Sequence, residues 1–199
     1  MPDQTLPATV LEYALELHDV LPAPLMNLIH HQVYKNNEAS FQKGTTGTTT
    51  AIQDDRIRSV KVLGLAEESI GTSVSLRVLY NKLHRINNFI VKSYIDNVST
   101  FLMPPNQVVF QFLKYTDKMK GHYEAHTDNS FTNPRNTTVI ISLSDPSEYE
   151  GGELQIQNSE KLLKLKKGSG VIFPSNFMFP HKVYPVTKGE RRVLVIWNT

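Results

Sequence analysis

Residues 107–115 read QVVFQFLKY, and residues 192–197 read RVLVIW. Both segments are short and rich in valine, leucine, isoleucine and phenylalanine, which favour β-strands. Turn residues such as Pro104-Pro105-Asn106 and Gly151-Gly152 separate segments of this kind from about residue 100 onward. The other predicted strands are Thr137–Ser144, Glu153–Gln157, Lys161–Lys166 and Gly170–Phe173. Short strands at this spacing predict an all-β sandwich or barrel.

The chain before about residue 98 is more mixed. From Thr72 to about Tyr94, leucine and isoleucine recur three or four residues apart, which predicts one long amphipathic helix capped by Thr72 or Ser73. The stretch Gly44–Thr50 holds only glycine and threonine and predicts an exposed loop, either a lid or a plain connection. Asp54, Asp55, Arg56 and Arg58 are interpreted as solvated loop charges rather than as entrance residues.

Composition excludes several classes of protein. The 199 residues carry a formal net charge of +2, too small to predict a nucleic-acid or membrane partner from field strength. The absence of cysteine excludes disulfides, thiolate metal sites and a cysteine nucleophile. Neither a secretory signal nor an apolar run of about 20 residues is found, so we expect a cytoplasmic protein without a membrane partner.

Three residues form a candidate metal site. His126 and Asp128 are two residues apart after a strand-like segment, so both side chains can point to one side. His181 begins another β-like stretch and can supply a third ligand. Two histidines and one carboxylate are the facial triad of non-haem Fe(II) oxygenases, which leaves positions open for a chelating oxo-acid and dioxygen.

Arg191 suggests which oxo-acid is bound. Pro185 and Lys188-Gly189 are typical of a turn, and the strand after them can bring Arg191 back beside His181. A guanidinium there can hold a second carboxylate through paired hydrogen bonds. A chelating oxo-acid with a distal carboxylate describes 2-oxoglutarate.

Several motifs of the chain, taken together and in their order along the sequence, resemble those of a known protein family. From residue 107 onward the chain resembles the prolyl 4-hydroxylase-type, 2-oxoglutarate- and Fe(II)-dependent dioxygenases, in particular the small microbial members. The matching motifs are Tyr115 through Gly121-His122-Tyr123-Glu124-Ala125-His126-Thr127-Asp128, Gly151-Gly152-Glu153-Leu154, Phe173-Pro174-Ser175 through His181, Pro185-Val186-Thr187, Gly189, Arg191 and Trp197.

The resemblance implies a mainly β fold with α-helices, a double-stranded β-helix or jelly-roll supported by N-terminal helices. The chain would be a single domain over residues 1–199, with a support region to about residue 98 and the jelly-roll core from about residue 99. His126, Asp128 and His181 would bind iron. Arg191 would bind the distal carboxylate of 2-oxoglutarate, and Tyr115 would line that pocket.

The resemblance also implies substrate contacts and an activity. Tyr123, Arg135 and Trp197 lie where related prolyl hydroxylases place substrate-facing residues. The implied reaction consumes O2 and 2-oxoglutarate, releases succinate and CO2, and hydroxylates a C–H bond, with ascorbate as a candidate reductant. The implied partner is a peptide or protein that contains proline.

Alternatives remain at this stage. The enzyme could hydroxylate a free amino acid or another small molecule. A nucleic-acid demethylase with the same cofactors fits less well, because residues 191–197 lack the Arg-x-Asn-x-Thr-x-Arg pattern of that group. A non-catalytic jelly-roll binding module is a further alternative, and the intact triad with Arg191 argues against it.

Overall fold

The computed structural model describes residues 10–46, 51–98, 102 and 104–199. The described strands are β1 (Leu15–Leu17), β2 (Gln42–Lys43), β3 (Arg58–Ser59), β4 (Lys61–Leu65), β5 (Val108–Thr116), β6 (His122–His126), β7 (Thr137–Ser142), β8 (Tyr149–Gly151), β9 (Leu154–Ile156), β10 (Gly170–Pro174), β11 (His181–Val183) and β12 (Val186–Asn198). They form two antiparallel sheets, a larger one ordered β1-β10-β7-β12-β5-β4-β2 with β8 paired to β12, and a smaller one ordered β3-β6-β11-β9.

The two sheets face each other across one apolar cluster. Side chains of the larger sheet, such as Leu113 and Val193, and of the smaller sheet, such as Leu154 and Val183, belong to this cluster. On each strand, residues two apart share a face, so every second side chain of β5 and β12 points toward the smaller sheet. This arrangement leaves room between the sheets for a cavity.

Helices cover the outer face of the larger sheet. The described α-helices are α1 (Ala23–Ile29), which continues into a π-helical turn at His30–Lys35, α2 (Glu67–Ile70) and α3 (Val74–Asn97). The Ser73 side chain accepts a hydrogen bond from the Leu76 N–H and caps α3, as predicted. Leu79, Leu83 and Ile90 of α3 are fully buried in a second apolar cluster, which includes the outward-facing side chains of β5 and β12.

Two local predictions are wrong. Lys161–Lys166 is not a strand: only Leu163 pairs, in a single bridge to Leu154. The segment is rich in leucine, but no strand of the described residues runs alongside it. Lys188-Gly189 is not a turn either, because β12 runs through it with a shift in its pairing to β8, and Gly189 takes a φ of +75°.

Two other expectations fall partly outside what the structure describes. Of the Gly44–Thr50 loop, residues 47–50 lie outside the described part of the chain. The single-domain division with a boundary near residue 98 stays a prediction, although strands from before that point join both sheets. In the described segments, no helix is both long and apolar enough to cross a membrane.

Candidate metal centre and its cavity

Strand pairing brings the two triad histidines together. His126 is the last residue of β6 and lies opposite His181, the first residue of β11, in the antiparallel register. Their ring centroids are 4.3 Å apart. Asp128 follows two residues later, with Oδ1 3.7 Å from His126 Nε2 and Oδ2 3.4 Å from His181 Nε2. In the described part of the chain, this is the one cluster of at least three potential metal ligands, and its ligand atoms lie within 4.8 Å of one another.

Hydrogen bonds orient all three side chains. His126 Nδ1 lies 2.8 Å from the Glu124 carbonyl oxygen, and His181 Nδ1 lies 3.3 Å from the Phe179 carbonyl oxygen. A carbonyl can only accept, so each Nδ1 is the donor, while each Nε2 lies within 3.7 Å of a carboxylate oxygen of Asp128. The structure thus presents two imidazole nitrogens to one point, as metal binding requires.

A short polar chain holds the carboxylate. Thr138 Oγ1 donates to Asp128 Oδ2 at 2.7 Å and lies 2.8 Å from Ser175 Oγ. Because the Thr138 proton goes to the carboxylate, Ser175 is the donor to Thr138. All three residues are buried. Thr138 was missed in the sequence, and Ser175 was noted there only as part of the Phe173-Pro174-Ser175 motif, without a role.

The protonation states suit a divalent metal. Burial and the neighbouring His181 lower the pKa of His126, so its imidazole is neutral at neutral pH. Burial raises the pKa of Asp128, but the nearby histidines and the Thr138 hydrogen bond outweigh it, and the net pKa is lowered. A neutral His126 imidazole, the His181 imidazole beside it and an ionised Asp128 carboxylate match the donor set of a facial Fe(II) site. The residues present therefore fit the metal that the sequence suggested.

A cavity of about 560 Å³ opens from this centre, between the sheets. Arg191 lines it and is 4% exposed, and its Nη1 is buried with no hydrogen-bond partner among the described residues. Gly152 leaves room for it, since a Cβ there would lie 2.9 Å from Arg191 Cδ. An unpartnered buried guanidinium nitrogen is costly, which marks a position built to receive an acceptor. Gly152 matched a motif in the sequence, but its role in admitting Arg191 could not be read there.

Tyr115 lies directly opposite Arg191 in the pairing of β5 with β12. The Arg191 Cζ is 5.3 Å from the Tyr115 ring centroid, and both side chains line the cavity. Burial raises the pKa of Tyr115 despite the nearby guanidinium, so its hydroxyl keeps its proton. The structure thus places the two residues expected at the 2-oxoglutarate pocket side by side.

Tyr123, Arg135 and Trp197, the three predicted substrate contacts, also line the cavity. The Tyr123 ring stacks on His126 with centroids 3.5 Å apart. The Arg135 guanidinium lies 3.6 Å above the Trp197 ring, and its Nη1 donates to the Asp128 carbonyl oxygen at 3.2 Å. Their roles toward a substrate stay a prediction.

One expectation about the charged loop is wrong. Asp54 and Arg56 pair with each other in solvent, as expected of loop charges. Arg58 instead lines the cavity. The cause is the pairing of β3 with β6, which sets Arg58 opposite Tyr123 and could not be inferred from the local sequence.

The chain is similar in sequence to known proteins. Residues 110–199 match the family model described as the 2OG-Fe(II) oxygenase superfamily. A PKHD-type hydroxylase of Prochlorococcus marinus (strain MIT 9515) is 37% identical over 119 residues, which is 57% of this chain and 52% of the relative. A PKHD-type hydroxylase of Prochlorococcus marinus (strain MIT 9215) is 29% identical over 86% of this chain and 77% of the relative. The chain spans about half the length of the first curated relatives it matches.

Solved structures confirm the fold. A Pseudomonas putida prolyl-4-hydroxylase superposes with a TM-score of 0.68 at 18% identity, covering 94% of this chain and 92% of the other. A prolyl hydroxylase from Trichoplax adhaerens, solved with a hypoxia inducible factor peptide fragment, gives a TM-score of 0.73 at 17% identity over 94% and 83% of the two chains. The predicted double-stranded β-helix with supporting helices is therefore confirmed.

Proposed function

We propose that this chain is a 2OG-Fe(II) oxygenase that hydroxylates a prolyl residue in a peptide or protein and forms succinate and CO2. Fe(II), 2-oxoglutarate and O2 are the cofactors that this superfamily uses. The observation that carries the proposal is the joint geometry of the cavity. Three candidate metal ligands line the same space as buried Arg191, whose Nη1 has no hydrogen-bond partner among the described residues.

His126, Asp128 and His181 would hold the iron. Bound Fe(II) supplies the oxidising chemistry, by activating O2 with electrons taken from 2-oxoglutarate. The protein's own contribution is positional: the Nδ1 hydrogen bonds fix the two rings, and Thr138 fixes the carboxylate. The site is preorganised in this way before any metal arrives.

Arg191 and Tyr115 would hold 2-oxoglutarate. A guanidinium binds a carboxylate through two parallel hydrogen bonds, and burial strengthens that contact by excluding water. The Arg191 side chain has almost no contact with solvent, so the arginine loses almost no hydration when a distal carboxylate binds to it. The protonated Tyr115 hydroxyl remains available as a donor next to it.

Tyr123, Arg135 and Trp197 would position the substrate. Tyr123 and Trp197 add aromatic surface to the cavity wall, and the Arg135 guanidinium beside Trp197 is a hydrogen-bond donor. The names of the relatives and structural neighbours, PKHD-type hydroxylase and prolyl hydroxylase, support a prolyl substrate. A cytoplasmic location and ascorbate as reductant stay predictions.

The test is oxygen incorporation. The protein is loaded with Fe(II), given 2-oxoglutarate and a proline-rich peptide library, and analysed by mass spectrometry for the gain of one oxygen, with succinate measured in parallel. We expect succinate release coupled to peptide oxidation. Oxidation of free amino acids alone would instead support a small-molecule hydroxylase.

Two histidine variants make the test specific. His126→Ala should abolish oxygen incorporation. His122→Ala is the matched control, because His122 lies four residues earlier on the same strand and binds only the carbonyl oxygens of Lys120 and Arg56. Full activity of His126→Ala would refute the proposed metal site.

A further inference from the structure

We propose that Arg58, together with Arg135, binds a carboxylate of the substrate next to the carbon that is hydroxylated. The inference rests on the proposed function and narrows its substrate class to acidic ones. Arg58 would be a specificity-determining residue, and nothing in the local sequence distinguishes it from the loop charges beside it.

Arg58 is built into the wall of the cavity. Its Nη1 donates to the Thr45 carbonyl oxygen at 2.6 Å, and its Cζ lies 4.6 Å from the centroid of the Tyr123 ring. That ring stacks in turn on His126, so Tyr123 contacts both the Arg58 guanidinium and the imidazole of a candidate metal ligand. Gly44 is needed for this position, since a Cβ there would lie 2.9 Å from Arg58 Nε.

The guanidinium has an unmet hydrogen bond. Arg58 Nε is buried and has no partner among the described residues. The other basic side chains of this loop are satisfied: Arg56 pairs with Asp54, and Lys43 pairs with Asp55, both at 2.8 Å. In the described part of the chain, no carboxylate lies within ion-pair distance of Arg58. A buried donor left open at a ligand cavity indicates an acceptor that arrives with the ligand.

Arg135 adds a second cation to the same cavity. Its one neighbouring carboxylate is Asp128, at 3.7 Å, and that carboxylate faces the two histidines as a metal ligand. Once Asp128 neutralises a bound cation, Arg58 and Arg135 are left without a counter-charge. Arg191 is occupied separately by 2-oxoglutarate in the proposed function. Two cations beside one ligand space favour an anionic group on the substrate.

A carboxylate is the acceptor that matches best. It offers two oxygens in a plane, which suits a guanidinium with Nε and a terminal nitrogen free to donate. The carboxylate can come from an aspartate or glutamate near the target proline in a polypeptide, or from the α-carboxylate of a free amino acid. Both sources share one chemistry, and the experiment separates them.

The experiment measures binding and turnover on matched ligands. The peptides share one sequence with a central proline. One position at a time, among the two before and the two after the proline, carries Asp, Asn or Lys. Separately, L-proline is compared with L-prolinamide. Binding is followed anaerobically, with Fe(II) and 2-oxoglutarate present, by the fluorescence of Trp197, the single tryptophan of the chain, which stacks with Arg135 in the cavity. Oxygen incorporation is then measured in air.

Three variants show whether Arg58 is responsible. We expect at least one Asp peptide to bind about 10-fold more tightly than its Asn counterpart, a ratio typical of one charge-assisted contact. Arg58→Gln should reduce this ratio to near one, and Arg58→Lys should restore part of it. Arg56→Gln, two residues away and paired in solvent, should leave it unchanged.

The other outcomes are equally decisive. L-proline could bind more tightly than L-prolinamide in an Arg58-dependent way while no Asp peptide binds more tightly than its Asn counterpart. In that case the carboxylate is that of a free amino acid. Tight, Arg58-dependent binding without oxygen incorporation would support the carboxylate contact and refute prolyl hydroxylation. Equal use of Asp and Asn peptides, with L-proline and L-prolinamide also equal, would overturn the inference and leave the proposed function intact.

Discussion

The two faces of the β5–β12 pair differ in whether they carry buried polar groups without hydrogen-bond partners. On the helix side, Phe110 and Phe112 of β5 and Leu194 and Ile196 of β12 are completely buried in apolar contacts. On the cavity side, the alternate residues include Arg191, whose Nη1 is unpartnered, and also Gln111, whose Oε1 is buried without a partner in the described part of the chain. The same two strands thus supply a close-packed core on one face and open hydrogen-bonding groups on the other.

This difference separates stability from ligand binding. The helix side does contain a polar pair, but it is satisfied: Asn87 Nδ2 donates to Asn198 Oδ1 at 2.7 Å, and Asn198 Nδ2 donates to Thr137 Oγ1 at 3.1 Å. Each unmet group on the cavity side costs about 1–3 kcal/mol of stability. This cost is offset when a bound ligand makes the missing hydrogen bond. We therefore expect mutations on one face to change stability and mutations on the other face to change ligand binding.

The largest effect on stability is expected from Phe112→Ala on the helix side. The Phe112 ring is fully buried and meets the Tyr34 ring edge-on, with centroids 6.3 Å apart. Its removal should lower the free energy of unfolding by about 3–5 kcal/mol, as large-to-small core substitutions do. Urea denaturation measures the loss. The folded fraction should bind 2-oxoglutarate as the wild type does, and a matching loss of that affinity would show that the two faces are not separable.

Arg191→Met on the cavity side should show the opposite profile. Loss of the guanidinium removes the proposed partner of the distal carboxylate, and we expect the Kd for 2-oxoglutarate to rise about 100-fold, as for truncation of a buried charged contact. Calorimetric titration of the metal-loaded protein measures it. The stability without ligand should stay equal or rise, because an unpaired buried charge is removed. A strongly destabilised variant would mean that Arg191 is a structural group rather than a ligand contact.

Two neighbouring threonines sharpen the comparison. Thr138→Val removes the donor to Asp128 with little change in shape, and the metal affinity should fall about 10-fold. Competition with a chelator measures that affinity. Thr137→Val is the matched control, because Thr137 bonds to Asn198 on the other face and should affect stability without affecting metal binding. Equal metal affinities for the two variants would contradict the role given to Thr138.

The sequence predicted the parts of the molecule that depend on local pattern and on residue type. Short segments rich in valine, leucine, isoleucine and phenylalanine located β5 and the second half of β12. The absence of cysteine and the positions of histidine pointed to His126, Asp128 and His181. Leucine and isoleucine spacing predicted α3, with Thr72 or Ser73 as its cap, and Ser73 caps it. The strand segments, the helix and the His126–Asp128 pair are each set within a short stretch of chain, so their patterns can be recognised without tertiary information.

What the sequence did not reveal depends on pairing between distant segments. Arg58 reaches the cavity only because β3 pairs with β6, and Thr138 meets Asp128 only because two strands and a loop converge. The segment Lys161–Lys166 shows the reverse error: it is rich in leucine like the predicted strands but has no partner beyond the Leu154–Leu163 bridge among the described residues. A run of apolar residues shows that a segment can be buried. Whether a neighbouring strand pairs with it depends on the tertiary fold.

His84 is the exception on the helix side and gives the smallest predicted effect. Its ring packs edge-on against Tyr80 and Phe110, with centroids 4.5 and 4.9 Å away, and its Nε2 is buried without a partner among the described residues. Burial lowers the pKa of His84 below its usual 6.5. The unfolded chain therefore takes up the proton first as the pH falls, and this residue's contribution to stability is lost below about pH 6.5.

The measurement is a difference between variants, because other groups titrate in the same range. Urea midpoints at pH 7.5 and 5.5 are compared for the wild type and for His84→Leu, with His31→Gln as an exposed histidine control. The variant should lose less stability on acidification than the wild type, because it has no imidazole to desolvate. An unchanged pH slope would mean that protonation of His84 is not linked to folding. The buried Nε2 would then carry no pH-dependent cost.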